Sequence, residues 1–199
     1  MPLTPNREYR ALTAPLSATA PTKRLDSDFY VEGYATTFGK PYLIYERDGV
    51  KFYEAVHRNA LAGADLSDVI MQYDHRGKVL ARKSNNTLGI EADRNGLFIF
   101  ADLSKSRAAQ ELYEEISNGL VTKMSWAFVV AEEAYDKDTR TRTILRISKV
   151  YDVSAVSVPA NDGTEISARS RFDGVIEAER QELLARRARL LKLNLEVST

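Results

Sequence analysis

The stretch TKMSWAFVV, residues 122–130, carries two patterns at once. In an extended strand, successive side chains point to opposite faces. Met124, Trp126, Phe128 and Val130 then share one bulky face, which reads as core. Lys123, Ser125, Ala127 and Val129 share the other, which is small around Ser125, as if space had been left beside the hydroxyl. Two readings of Ser125 follow. It is a small polar group hydrogen-bonded into a sheet, as most buried hydroxyls are, or it is a nucleophile facing a cleft.

Composition narrows the classes of function. A chain of 199 residues is long enough for one domain with a real core and short appendages. The 28 Lys and Arg residues balance 28 Asp and Glu, so the formal net charge is zero and exerts no long-range pull on a phosphate backbone. No apolar run approaches the ~20 residues that span a bilayer, and MPLTPNREYR lacks the basic-then-apolar pattern of a secretory signal. The absence of cysteine excludes disulfides and thiolate chemistry. The only histidines, His57 and His75, are too few for a structural zinc site. A nuclease or nucleic-acid binder needs a carboxylate–metal cluster or a basic face, and the strand region offers neither.

Working outward from Ser125, residues 121–160 predict a hairpin with a polar turn at YDKDTRT (135–141), then a further strand closed by PAND (159–162). Just upstream, in SKSRAAQELYEEISNG (104–119), Ala108, Leu112, Ile116 and Leu120 fall near helical spacing. Ser104 or Ser106 is placed to cap its start and Gly119 its end. NTLGIEADRNGLFIFADLS (86–104) predicts a hairpin turning at Asn95-Gly96, and YLIYERDGVKFYEAV (42–56) one turning at Asp48-Gly49. DVIMQYDH (68–75) reads as a strand broken by Gly77, and FYVEGYATTF (29–38) as a strand with an irregularity at Gly33. HRNALAGADLSD (57–68) is too short and broken for more than a turn or two of helix. REYRALTA (7–14) has the composition of an edge strand, and PLSATAPTKR (15–24) that of a flexible connection.

Near the other end, Leu184, Ala188, Leu191 and Leu195 recur at helical spacing, with Leu183 and Leu190 widening the stripe. Acidic residues lie early in this helix and Arg186, Arg187, Arg189 and Lys192 late, as the helix dipole favours. Those cations read as a solvated face or as an anion-binding one. The organisation expected is a flexible N-terminal segment (1–27), a strand-rich α+β domain (28–168) and a C-terminal amphipathic helix and tail (169–199).

A nucleophilic serine needs a base, and usually a third group to orient that base. His57, in EAVHRNAL, sits at a strand exit beside Arg58 and reads as a surface or turn histidine. His75 follows Val69, Met71 and Tyr73 in alternation, which puts its imidazole at the end of an apolar strand face, beside a cleft or partly in the core. For the third group, YDVSAVSVP (151–159) supplies Asp152 in a strand apolar on both faces, where a carboxylate costs several kcal/mol unless paired. Asp74 is the rival, adjacent to His75 in sequence but on the opposite face unless the strand bends. The order His, Ser, Asp matches none of the three familiar hydrolase orders, and there is no G-x-S-x-G elbow. From spacing alone, a serine hydrolase is one open reading.

Four motifs together point further: VEGYATTF (31–38), YDHR (73–76), GLVTKMSWAF (119–128) and YDVSAVSVPAND (151–162). In this order and spacing they resemble the prohead (capsid maturation) proteases of tailed bacteriophages, the HK97-type enzymes, over about residues 28–168. The resemblance implies an α+β, strand-rich β-barrel like that of herpesvirus assemblin, with flanking helices and the C-terminal amphipathic helix. It implies that Ser125 is the nucleophile, His75 the general base and Asp152 the acidic third member, at a position where many relatives carry Glu. Pro159, Ala160 and Asn161 match the turn that follows the family's last strand, either as a rigid turn or as part of the site. Trp126 departs from the smaller aliphatic residue usual there, which bears on pocket shape.

The activity implied is endopeptidase acyl transfer with no cofactor and no metal. The partners implied are phage scaffold and major capsid protein as substrates, with the protease cutting itself as well. A homo-oligomer is compatible with this; nucleic acid and membrane are not expected partners. The implied setting is the immature capsid (prohead) in the cytoplasm of a bacterial host, with the amphipathic tail as a docking or self-removed segment. The competing reading is a capsid assembly or scaffolding protein of the same fold that has lost activity.

Overall fold

The computed structural model describes residues 7–12, 16–157, 172 and 174–190. Among the described residues, ten strands occur in the order β1 (Glu8–Leu12), β2 (Tyr30–Thr37), β3 (Tyr42–Arg47), β4 (Val50–Val56), β5 (Ile70–Tyr73), β6 (Arg76–Arg82), β7 (Leu88–Ala92), β8 (Gly96–Asp102), β9 (Lys123–Asp136) and β10 (Thr141–Val156). Helix α1 (Arg107–Ser117) lies between β8 and β9. A second helix, α2, covers 174–190.

The long hairpin β9–β10 is the spine. One edge of β9 takes β1 antiparallel, and β10 takes β4 and β5 in parallel along its other edge, β4 near its start and β5 near its end. With β3 on β4 and β6 on β5 this makes a seven-stranded mixed sheet, and β2, β8 and β7 form a separate three-stranded sheet. The second arm of the expected hairpin and the further strand are thus a single 16-residue strand, β10, interrupted by register shifts between Ile144 and Asp152. Bulges of this kind bend and twist a strand without ending it, which is why the sequence reads as two.

The expected barrel is not closed. Among the described residues, the two sheets meet through side chains and through an isolated bridge from Phe38, just past β2, to Val56 of β4, with no continuous ladder between them. Val31, Leu97 and Ile99 of the small sheet pack with Met71, Trp126, Phe128 and Val153 of the large one in one core. The architecture is strand-rich α+β with two mixed-composition layers.

Local chemistry explains the punctuation. Asp48 and Gly49 both have positive φ (52° and 78°), as a two-residue hairpin turn requires. Ser106 caps α1 by accepting the Ala109 N–H, and Ala109, Leu112 and Ile116 form its buried stripe, while Leu120 lies beyond the helix and exposed. The β7–β8 turn falls on Arg94-Asn95, one residue earlier than predicted, because the Asp93 carboxylate accepts the N–H groups of both Asn95 and Gly96. Gly96 opens β8 for a different reason: a Cβ there would stand 1.9 Å from the Thr36 carbonyl oxygen. The irregularity in β2 lies between Tyr34 and Thr36, not at Gly33, which pairs regularly with Ile99. Phe172, itself helical, stacks on Phe52 with ring centroids 4.6 Å apart. PAND and the tail beyond 190 lie outside the described residues.

Candidate active site

β9 delivers Ser125 to the middle of the large sheet, with Ala11 of β1 opposite on one side and Ser154 of β10 opposite on the other. Residues directly opposite in a ladder share a face. The face around Ser125 is therefore floored by Ala11, Ala127 and Ser154, all small. Met124, Trp126 and Phe128 point the other way and are fully buried, Trp126 stacked on Phe128 at 4.1 Å. Trp126 accordingly shapes the core behind the sheet and not the pocket, contrary to the expectation from the resemblance.

Asp152 lies on the same face as Ser125, opposite Ala127. It is 2% exposed, and the Ser154 hydroxyl donates to its Oδ1 at 2.8 Å. A carboxylate so desolvated needs further compensation. The imidazole of His75 supplies it, with Nδ1 2.5 Å from Asp152 Oδ1 and Nε2 2.7 Å from Ser125 Oγ. A carboxylate only accepts, so the ring serves both neighbours with its proton on Nδ1 and a bare Nε2 facing the hydroxyl.

His75 does not end a strand, as alternation predicts. It is the second residue of the two-residue turn between β5 and β6, whose flanking residues Tyr73 and Arg76 pair. Asp74 and His75 have φ of 47° and 57°, left-handed values that Asp and His tolerate better than most residues. The strand expected to stop at Gly77 instead restarts at Arg76 as β6. The Asp74 N–H donates to the Ala155 carbonyl, and its carboxylate accepts the Ser157 N–H at 3.1 Å and hydroxyl at 3.0 Å. Asp74 thus ties the turn to the end of β10 and leaves the imidazole to Asp152. His57 stands in a separate turn, exposed, its Nδ1 accepting the Asn59 N–H. Beside the β5–β6 turn, a cleft of about 280 Å³ runs between β6 and α1, lined by Tyr73, Arg76, Leu80, Glu111 and Glu115 among others.

On the opposite face of the same strands lies a buried ion cluster. Arg10 of β1 meets Glu54 of β4 at 2.5 and 2.8 Å, and Arg142 of β10 meets Glu54, Glu8 and Glu133 at 2.5–2.9 Å. Tyr42 donates to Glu54 at 2.5 Å. Burial works to raise the Glu8 pKa, but hydrogen bonds and charge from Arg142 and Arg10 outweigh it and hold Glu8 at about 2. Burial likewise opposes ionisation of Glu54, and the two guanidiniums still hold its pKa below the ordinary value. The same burial, with the Glu54 charge, pushes the Tyr42 hydroxyl well above its ordinary range. This cluster fastens β1 to the back of the sheet that carries Ser125. The cluster is absent from the sequence-based expectation, Ser154 has no role in it, and Asp74 enters it only as a rival partner for His75. The sequence signal for Ser154 and the cluster is polar residues at positions where the alternation of β1, β4 and β10 demands apolar ones.

A hydroxyl, an imidazole and a buried carboxylate in line, each from a different part of a strand-rich α+β scaffold, have the arrangement of a serine-hydrolase site. The comparison with known families agrees with that class and narrows it. The caudovirus prohead serine protease family matches residues 18–176, and the chain belongs to that family. The prohead protease of Enterobacteria phage HK97 is 28% identical over 145 residues, which cover 72% of this chain and 61% of that protein. The match therefore spans less than two thirds of that relative's length. No solved structure matches the chain.

Proposed function

We propose that this chain is a serine endopeptidase of phage capsid maturation. The observation that carries the reading is the imidazole of His75 standing 2.7 Å from Ser125 Oγ and 2.5 Å from Asp152 Oδ1. Family membership supports the setting. In the reaction, His75 Nε2 takes the Ser125 proton as Oγ attacks a peptide carbonyl. Asp152 holds the tautomer and stabilises the imidazolium that forms. The imidazolium then protonates the leaving amine, and water, deprotonated by the same nitrogen, releases the acyl group and regenerates the hydroxyl. Ser154 keeps Asp152 oriented through this cycle. Because Ser125 is fully buried, a neighbouring segment shifts before a peptide carbonyl reaches it.

The substrates we assign are the scaffold protein, or the scaffold-like N-terminal segment of the major capsid protein, and the protease itself. Confinement in a prohead would present these at high effective concentration, so weak intrinsic affinity suffices. Co-expression with the cognate capsid protein tests the reading. The wild type is expected to shorten the capsid protein or scaffold on a gel, and Ser125→Ala to leave both at full length. Identical band patterns from the two would overturn it. Mass spectrometry of the same samples tests self-processing: it is wrong if wild type and Ser125→Ala retain the same termini.

A further inference from the structure

We propose that Tyr9, on the N-terminal strand, is a positioning residue for His75, which makes β1 part of the catalytic centre. The inference rests on the reading of His75 as the general base. It concerns a strand that lies outside the residues matched by the family, which begin at 18.

Three observations carry it. The Tyr9 ring packs against the His75 imidazole in a T-shaped contact, centroids 4.8 Å apart and planes at 74°. Tyr9 lies opposite Ala127 and Ala11 opposite Ser125, so alternate residues of β1 border the site. The intervening residues, Glu8 and Arg10, face the core side and are locked there by Glu54 and Arg142. The ion cluster thus immobilises the backbone from which Tyr9 projects.

The physical role follows from where the imidazole sits. Its two nitrogens are held by Asp152 and Ser125, but its carrier is a two-residue turn, and rotation about the Cβ–Cγ bond would break both hydrogen bonds at once. An aromatic ring packed on the imidazole blocks that rotation and excludes water from the pair. A displacement of about 1 Å at a catalytic group costs up to roughly 10²-fold in rate.

Hydrolysis of p-nitrophenyl acetate and the far-downfield imidazole proton of the His75–Asp152 pair, read by NMR, test the proposal together. Tyr9→Ala is expected to lower kcat by about 10- to 100-fold with KM within about threefold, and to broaden or abolish the imidazole proton signal. Tyr9→Phe, which keeps the ring, is expected within about threefold of wild type with the signal intact. Ser106→Ala removes the cap of α1 and serves as the control for lost stability alone: it is expected to lower Tm and leave both readouts unchanged. Wild-type kcat and a sharp signal in Tyr9→Ala would overturn the proposal, as would Tyr9→Phe falling as far as Tyr9→Ala. If wild-type protein neither turns over the ester nor is labelled at Ser125 by a fluorophosphonate, the proposed function falls. The NMR comparison of Tyr9→Ala with wild type then still decides whether Tyr9 positions the ring.

Discussion

Asp152 gives up nearly all its contact with water and regains two partners, the Ser154 hydroxyl and the His75 ring. Asp74 does the opposite: it stays near the surface and spends its carboxylate on Ser157. The two aspartates therefore have separable consequences. Asp152→Asn keeps the shape but stabilises the wrong tautomer, and is expected to cut kcat by about 10⁴ with little change in KM. Asp74→Ala frees the turn without removing any reacting group, and is expected to cost about 10- to 100-fold. Steady-state hydrolysis of one small ester by both variants checks the ordering. Equal losses would mean that Asp74, and not only Asp152, acts on the imidazole. The choice between these two aspartates was open in the sequence because alternation assigns faces only within a regular strand. A left-handed turn at 74–75 ends that rule at the residues where it was needed.

At the scale of elements, each site residue depends on a connection. Ser125 rides on a regular ladder, and its face was legible from the size pattern of residues 122–130 alone. His75 rides on the β5–β6 turn, and β6 was missed because RGKVLAR has mixed exposure and little alternation of polarity. The small sheet is sensitive at β8, where Gly96 lets the Thr36 backbone come close. Gly96→Ala places a methyl group against a carbonyl that has no side-chain freedom to yield. It is expected to destabilise the fold by about 1–3 kcal/mol, as overpacking does, measured by urea denaturation. A loss below about 0.5 kcal/mol would show that β2 shifts freely relative to β8.

For the whole molecule, the buried ion cluster makes stability depend on pH at the acid end. The Glu8 pKa falls from 4.5 to about 2 on folding. A depressed carboxylate contributes its full stabilisation above the unfolded value and loses it as pH falls toward the folded one. Glu8 alone is thus expected to contribute about 3 kcal/mol above pH 4.5, lost progressively as pH falls to about 2, with Glu54 acting in the same direction. Urea denaturation from pH 6 down to pH 2 checks this, and Glu8→Gln is expected to flatten that dependence. The enclosed nucleophile makes a second prediction at this scale. Fluorophosphonate labelling of Ser125 is expected to reach a plateau rate as probe concentration rises, because opening precedes attack. A rate that stays linear in probe would show the hydroxyl to be freely accessible. Strand-rich α+β character, both tight hairpins, the capped α1 and the identities of Ser125, His75 and Asp152 as candidates were determined by the sequence itself, since alternation, turn chemistry and capping are local. Only the tertiary structure decided that β10 is one bent strand, that the sheets do not close, that Asp152 rather than Asp74 meets the imidazole, and that Tyr9 and the arginine–glutamate cluster flank the site. Those depend on pairings between residues tens of positions apart, and no local pattern records which distant strand supplies the partner that a buried charge requires.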